Sequence, residues 1–180
     1  DPTATVTEKN QKPTVDKEIT DTTPPGVGDT VHYQVKITVR AGAENYVLTD
    51  KMSAGLNFDT NSVSIKVNNT EVDTTNYEKD TTATDSYTFQ IKFKNEYIAQ
   101  LDTNTEIIVT YSATITQDAV VKGANNTATL NYGDETDTTH STSSVAEPTL
   151  VNLTINKVDG ASKTTTDEVG TYSTYLGGAE

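Results

Sequence analysis

The stretch VHYQVKITV, residues 31–39, decides the fold class, because its apolar side chains recur at every second position. In an extended chain these side chains share one face: Val31, Tyr33, Val35, Ile37 and Val39. The polar side chains between them point to the other face. This alternation is typical of a β-strand with one side buried.

The same alternation recurs along the chain, and turns rich in Gly, Asn, Asp and Pro separate the repeats. Further predicted strands are TVDKEI (14–19), NYVLTDKM (45–52), SVSIKV (62–67), SYTFQIKF (86–93), TEIIVTYSATI (105–115) and NNTATLNY (125–132). Only EYIAQLD (96–102) indicates a helical turn. We therefore predict an all-β fold, an antiparallel immunoglobulin-like β-sandwich.

The ends of the chain do not carry a core of their own. We expect residues 1–11 to be the end of a preceding domain or a linker, residues 12–147 to form the sandwich, and residues 148–180 to begin a following domain. A further strand is predicted in TLVNLTINKVDG (149–160). The sequence therefore has the character of an excerpt from a longer protein.

Composition excludes several classes of function. The chain of 180 residues has a formal net charge of -13, so binding to nucleic acid or to anionic lipid is disfavoured by repulsion. It has no cysteine and 2 histidines, which argues against disulfides, cysteine-bound zinc and a histidine-based metal or catalytic cluster. We expect no cofactor, no metal and no membrane span.

Three polar residues fall in phase with apolar strand faces. In the strand 14–19, Lys17 lies on the same face as Val15 and Ile19. In the strand 45–52, Asp50 lies on the same face as Leu48. In the strand 125–132, Asn126 lies on the same face as Ala128 and Leu130. Each residue alone has an ordinary explanation. The lysine stem can pack while its ammonium reaches water, the aspartate can cap a turn, and the asparagine can mark a bulge.

Together the three residues match a known reaction, in which a lysine amine attacks an asparagine side-chain amide with the help of an acid. Burial favours the neutral amine and the protonated acid, because it penalises the charged forms. Lys17 would be the nucleophile, Asp50 would polarise the carbonyl and move protons, and Asn126 would lose ammonia. The product is an intramolecular isopeptide bond that closes a loop of roughly 110 residues, which is worth about 4–5 kcal/mol if it behaves as a disulfide of that span.

A family resemblance supports this interpretation. The segments KPTVDKEI, VGDTVHYQVKITV, YVLTDKMSAGLNF, VTYSATI and NNTATLNY resemble the isopeptide-forming domains of sortase-assembled pilins and related surface adhesins of Gram-positive bacteria, of the collagen-adhesin A-type. The resemblance covers roughly residues 12–145 and implies a Lys17–Asn126 bond promoted by Asp50. Asn125 is an alternative partner, although its parity places it on the opposite face.

The flanks carry two weaker resemblances. LTINKVDG and YLGGAE are similar to the opening of a collagen-adhesin B-type domain, which implies Lys157 as the linking lysine of that next domain. VTEKN resembles the end of the pilin motif, which implies Lys9 as the lysine that sortase joins to the next subunit. The Tyr-Pro that usually precedes Lys-Asn is replaced here by Thr7-Glu8.

Two functions of different class remain open from the sequence. The first is a structural domain of a surface pilus shaft, whose partners are neighbouring pilin subunits joined by sortase. The second is an adhesin domain that binds a host matrix or cell-surface ligand, for which Tyr77, Tyr97, Tyr172 and Tyr175 are the candidate exposed aromatic residues. A turnover enzyme is not expected, because no nucleophile–base pair, metal cluster or phosphate loop is recognisable.

Overall fold

Strand β2 (Thr30–Thr38) forms as its alternating pattern predicts, and it has a partner strand on each side. A computed structural model provides the coordinates, and it describes residues 11–133 and 140–151. The described residues up to Leu150 belong to one compact unit, and a second unit starts at Val151.

Two antiparallel sheets build this unit. The strands of the first sheet are β1 (Thr14–Ile19), β2, β4 (Leu56–Phe58), β5 (Ser64–Val67), β6 (Thr70–Glu71) and β9 (Glu106–Ile115). Their order is β1-β2-β9-β5-β6, and β4 also pairs with β9. The strands of the second sheet are β3 (Val47–Met52), β7 (Tyr77–Asp80), β8 (Phe89–Phe93), β10 (Asn126–Asn131) and β11 (Ser141–Ala146). Their order is β11-β10-β3-β8-β7.

The core lies between the two sheets, and the predicted inward faces supply it. Val31, Tyr33, Val35 and Ile37 of β2 are buried, and β9 presents Ile107, Val109 and Tyr111 to the same interior. The second sheet closes the core with buried side chains of β3, β8 and β10: Leu48, Phe89, Ile91, Ala128 and Leu130. The predicted all-β, immunoglobulin-like β-sandwich is confirmed.

Several predicted strands begin later than their alternation suggests, because hydroxyl and carboxylate groups hold the preceding turn. The predicted strand 62–67 starts at Ser64, since Asp59 accepts a hydrogen bond from the backbone of Asn61 and its carbonyl accepts one from Ser62. The predicted strand 86–93 starts at Phe89, since the Thr84 hydroxyl accepts from the backbone of Ser86 and Tyr87. Local side-chain hydrogen bonds of this kind compete with a sheet ladder.

Short elements fill the connections. The predicted helical turn at 96–102 is present as α1 (Asn95–Ile98), and a second one, α2 (Ala119–Lys122), links β9 to β10. A 3₁₀ turn (Thr74–Asn76) precedes β7. Gly55 lets α2 approach closely, because a Cβ there would lie 2.0 Å from the carbonyl oxygen of Gly123. Among the described residues, no helix is long and apolar enough to cross a bilayer.

The described part of the predicted strand 149–160 is not a strand. Residues 149–151 are irregular, and the remainder of that segment lies outside the described residues. The predicted linker at 1–11 is described only at Gln11, whose backbone N–H donates to the carbonyl of Ala41. The domain boundaries on either side of the sandwich therefore stay predictions.

Candidate functional site

The three polar residues that fall in phase with apolar faces meet inside the sandwich. Lys17 comes from β1 in the first sheet, and Asp50 and Asn126 come from β3 and β10 in the second. Asp50 and Asn126 are 0% exposed, and the side chain of Lys17 is also fully buried. Charged residues are almost never fully buried unless they are paired, so this grouping calls for a specific explanation.

The lysine amine makes both polar and aromatic contacts. Lys17 Nζ lies 2.7 Å from Asp50 Oδ2 and also donates a hydrogen bond to the Tyr111 hydroxyl. It sits 4.7 Å from the ring centroids of Tyr33 and of Tyr111, which stack on one another. The side chain of Lys17 is 0% exposed, so its amine has no contact with solvent.

The amide and one carboxylate oxygen lack partners. Among the described residues, four buried side-chain N or O atoms have no hydrogen bond, and all four lie at this site: the Tyr33 hydroxyl, Asp50 Oδ1, Asn126 Nδ2 and Asn126 Oδ1. Buried polar atoms in native proteins are nearly always hydrogen-bonded. This concentration of unsatisfied groups makes the cluster of Lys17, Asp50 and Asn126 the candidate functional site.

Strand register explains how the three residues come within reach. Asp50 lies directly opposite Ala128, and Asn126 lies opposite Met52. Asp50 and Asn126 are therefore diagonal neighbours on the core face, at positions roughly 7–8 Å apart. Ala128 contributes only a methyl group between them, which leaves room for the Lys17 side chain that arrives from the other sheet.

Two further contacts fix the strands that carry the site. The backbone N–H of Lys17 donates to Ser144 Oγ of β11 at 3.1 Å, across the seam between the two sheets. The backbone of Ser53 donates to the carbonyl of Asn125 at 2.9 Å, and the backbone of Asn125 donates to Ser53 Oγ at 3.0 Å. The start of β10, and with it Asn126, is thus held against the end of β3.

Burial shifts the protonation equilibria of the site in opposite directions. Burial lowers the pKa of Lys17, and the charge of Asp50 only partly offsets this. Burial raises the pKa of Asp50, and contacts with Lys17, Tyr111 and Asn126 counteract it. The Asn126 amide affects the pKa of Asp50 even though neither of its polar atoms meets hydrogen-bond geometry. Both shifts favour a neutral amine beside a protonated acid.

The ordinary explanations of the three residues do not describe this structure. The ammonium of Lys17 does not extend to water, Asp50 lies within β3 instead of capping a turn, and Asn126 pairs regularly with Ala146 and Met52 without a bulge. Asn125, the alternative partner, is exposed and its Nδ2 lies 3.2 Å from Glu147 Oε2. Asn125 is therefore not brought to Lys17.

Other predicted residues fall elsewhere. Lys9, Lys157, Tyr172 and Tyr175 lie outside the described residues. Tyr77 and Tyr97 are not free surface aromatics as expected, because both are partly buried against the core. The sequence pattern predicts inward faces for Tyr33 and Tyr111, but it does not predict the hydrogen bonds of the Tyr111 hydroxyl to Lys17 and Asp50. Alternation alone does not distinguish a tyrosine that contacts a lysine from one that fills the core.

Comparison with known proteins assigns the family. The family described as Gram-positive pilin backbone subunit 2, Cna-B-like domain, matches residues 27–137, and the chain belongs to it. The resemblance to Gram-positive pilins is thereby confirmed, although the family is described as B-like where the sequence resembled the A-type. No curated protein matches the chain.

Solved structures of pilus backbones share the fold. The pilus backbone RrgB of Streptococcus pneumoniae is 27% identical with a TM-score of 0.58, over 68% of this chain and 53% of that one. The chain thus spans about half the length of that relative. The major pilin BcpA of Bacillus cereus is 19% identical with a TM-score of 0.60, over 78% of this chain and 41% of that one.

A collagen-binding protein shows the same architecture. The collagen binding subdomain of the Enterococcus faecalis surface protein ACE is 14% identical with a TM-score of 0.52, over 78% of this chain and 99% of that subdomain. At this identity the likeness extends to the fold alone. The fold therefore does not distinguish a shaft domain from a ligand-binding domain.

Proposed function

We propose that this chain is a structural domain of a pilus shaft subunit and that a self-formed isopeptide bond between Lys17 and Asn126 stabilises it, with Asp50 as the promoting acid. The observation that carries the proposal is the sealed site: a buried amine, a buried acid and an amide whose polar atoms have no partner. Family membership supports the pilus backbone role.

The chemistry follows from the contacts of Lys17. Its proton passes to Asp50, with which Nζ is already hydrogen-bonded, and leaves a free amine. The amine attacks Cγ of Asn126, and the protonated Asp50 polarises the amide carbonyl. The new bond joins Nζ to Cγ, the bond from Cγ to Nδ2 breaks, and ammonia leaves. The site works once, because its own side chains are the reactants.

Position in the chain gives the bond a mechanical role. Lys17 lies in the first described strand and Asn126 in the strand before the last, and the two strands belong to different sheets. A covalent link there joins the two layers and encloses roughly 110 residues, which stabilises the fold by about 4–5 kcal/mol. Tension along the chain would pass through the link and bypass the strands between.

Stretching single molecules tests this role. Because the chain has no cysteine, handles at Lys12→Cys and Thr149→Cys attach it uniquely, and both positions are exposed. We expect Asn126→Ala to extend further than the otherwise unchanged protein by roughly 360–390 Å, the length of the released loop. Asn125→Ala, which removes the neighbouring exposed amide, is the matched control and should stay short. An unchanged protein that extends as far as Asn126→Ala would contradict the proposal.

The wider role rests on the family. We propose that the chain is displayed on the surface of a Gram-positive cell in a pilus attached to the cell wall, with neighbouring pilin subunits joined by sortase as its partners. Lys9 is the proposed linking lysine and Lys157 the proposed cross-linking lysine of a following domain. Peptide mapping of assembled pili would identify the lysine that carries the threonine of the next subunit.

No observation favours the adhesin function over the shaft function. The described residues expose four large hydrophobic side chains, all of them valines: Val27, Val121, Val145 and Val151. They come from four separate segments of the chain, and none is aromatic. A ligand-binding surface generally needs a contiguous apolar patch, so host binding is the weaker candidate.

A further inference from the structure

The amine of Lys17 donates to two hydrogen-bond acceptors, and the reaction proposed above uses only one of them, Asp50. Nζ donates to Asp50 Oδ2 and to the Tyr111 hydroxyl, and the Tyr111 hydroxyl in turn donates to Asp50 Oδ2. The three groups form a closed triangle in the core. A direct route and an indirect route therefore lead from the amine to the carboxylate.

Proton counting shows why two routes matter. A lysine ammonium carries three protons, whereas the nitrogen of an isopeptide bond carries one. Two protons must leave Nζ, one before it attacks the amide and one after. Each of the two hydrogen bonds that Nζ makes offers an exit for one of them.

We propose that Tyr111 is a catalytic residue for isopeptide formation and that its hydroxyl carries the second proton from Lys17 Nζ to Asp50. This inference rests on the proposed Lys17–Asn126 bond and adds a fourth residue to it. The tyrosine touches the reacting nitrogen itself, so its role is direct and not only one of positioning.

The steps balance in atoms and charge. Lys17 first gives one proton to Asp50, and the free amine then attacks Cγ of Asn126. Asp50 delivers its proton to the departing Nδ2 group, which leaves as ammonia with three protons. Nζ passes its second proton to the Tyr111 oxygen while Tyr111 gives its own hydroxyl proton to Asp50. The tyrosine ends unchanged, Asp50 ends protonated, and the net charge stays zero throughout.

The surroundings support an internal relay. The titratable groups that face Tyr111 are Lys17 from β1, Tyr33 from β2 and Asp50 from β3. Phe89 meets the Tyr111 ring edge-on at 4.8 Å and Phe58 at 6.4 Å, so two aromatic rings also pack against the phenol. Burial and the nearby Asp50 charge hold the pKa of Tyr111 far above its usual range, which keeps the phenol protonated and able to relay.

Tyr33 provides a matched control within the same site. Like Tyr111 it is buried, belongs to the first sheet and lies 4.7 Å from Lys17 Nζ by its ring centroid. Unlike Tyr111, its hydroxyl has no hydrogen-bond partner. Replacing either residue by Phe keeps the ring and its packing. The two variants therefore differ in whether a proton-carrying contact is lost.

The experiment compares Tyr111→Phe with Tyr33→Phe in the full chain made by cell-free synthesis. Samples are quenched at intervals, and intact mass gives the fraction that has lost one ammonia. We expect Tyr33→Phe to react as fast as the unchanged protein and Tyr111→Phe to react at least about a hundredfold more slowly, which is at the low end for a lost acid–base group. In an Asn126→Ala background both variants should unfold cooperatively, and Tyr111→Phe should be the less stable of the two because it loses two buried hydrogen bonds. Rates are therefore compared under conditions where both variants are fully folded, which separates catalysis from folding.

A pH profile provides the second readout. The relay keeps every proton inside the site, so the rate of the unchanged protein should vary little from mildly acidic to mildly basic pH. In Tyr111→Phe the second proton must reach solvent, so its residual rate should rise with pH. Equal rates in the two Phe variants, or equal slowing of both, would overturn the role of Tyr111. Absence of the mass loss in the unchanged protein would instead overturn the proposed bond itself.

Discussion

Two lysine–carboxylate pairs in neighbouring strands show what burial does to the same chemical groups. Lys17 of β1 pairs with Asp50 in the core at 2.7 Å, and both side chains are 0% exposed. Lys36 of β2 pairs with Glu106 on the outer face at 3.8 Å, with side chains 38% and 52% exposed. The outer pair is screened by water and is worth about 0–1 kcal/mol. The inner pair has no water to compete with it.

Under the proposed function, this difference in burial is what makes the amine of Lys17 reactive. Both side chains of the outer pair remain in contact with water. Burial lowers the pKa of Lys17 and raises that of Asp50, so burial favours transfer of a proton from the amine to the acid. The amine then becomes a nucleophile only where an amide is also buried, and Asn126 meets that condition.

The largest expected effect is on the free energy of unfolding when Lys17 is replaced, compared with the same replacement of Lys36. Lys17→Met prevents the cross-link, worth about 4–5 kcal/mol, and leaves a carboxyl group buried without its partner, so we expect at least this loss in the free energy of unfolding. Lys36→Met should change it by less than about 1 kcal/mol. Denaturant unfolding of the two variants measures both values. Similar losses would show that Lys17 behaves as a surface residue.

Opposite pH dependences should follow when the inner pair is separated. In Lys17→Met the raised pKa of Asp50 means that the folded state binds more protons than the unfolded state, so stability should fall as pH rises above the ordinary range of an aspartate. In Asp50→Ala the lowered pKa of Lys17 means the reverse, so stability should rise with pH up to the ordinary range of a lysine. Each slope is at most about 1.4 kcal/mol per pH unit.

Unfolding curves collected across the pH range measure these slopes. Glu106→Ala, which separates the outer pair, is the control and should follow the pH dependence of the unchanged protein. If the two inner variants had slopes of the same sign, the assigned protonation states would be wrong.

A smaller effect is expected from filling the gap beside the site. Ala128 lies opposite both Asp50 and Ser144 on the core face, so Ala128→Leu should crowd the Lys17 side chain, cost about 1–3 kcal/mol and leave part of the protein at full mass. Thr129→Leu places the same side chain on the other face of β10 and should react completely. Complete reaction of Ala128→Leu would mean that the lysine does not use this space.

The smallest effect concerns the seam between the sheets. Ser144→Ala removes the hydrogen bond to the Lys17 backbone and should cost about 1 kcal/mol and slow the reaction slightly. Ser143→Ala, at an exposed position of the same strand, is the control. Calorimetric melting of both proteins checks the difference, and equal melting temperatures would show that the contact contributes nothing.

The sequence predicts the layers of the fold better than their edges. Alternation in residues 31–39 and 105–115 identifies β2 and β9, because each buries one face along its whole length. The edge strand β7 escaped prediction, since its residues are mostly exposed and carry no pattern. The turn α2 is not predicted either, because two of its four residues are valines, which favour strands.

The candidate site is partly predictable from the sequence, because alternation along a strand assigns each residue to one face. Lys17, Asp50 and Asn126 each occupy a strand position whose neighbours two residues away are apolar. The sequence therefore predicts that all three side chains point into the core. Their mutual proximity depends on pairing between β3 and β10 and on the packing of the sheets, which local pattern does not encode. Tyr111 was placed inward, but its hydrogen bonds to Lys17 and Asp50 became apparent only from the structure.

Intact mass of the purified protein tests the central claim most directly. If the dry core joins Lys17 to Asn126, the mass falls short of the sequence mass by one ammonia, and proteolysis yields one branched peptide that contains both residues. Lys17→Ala and Asn126→Ala should each restore the full mass, whereas Asn125→Ala should not. A folded, unchanged protein at its full sequence mass would contradict the account.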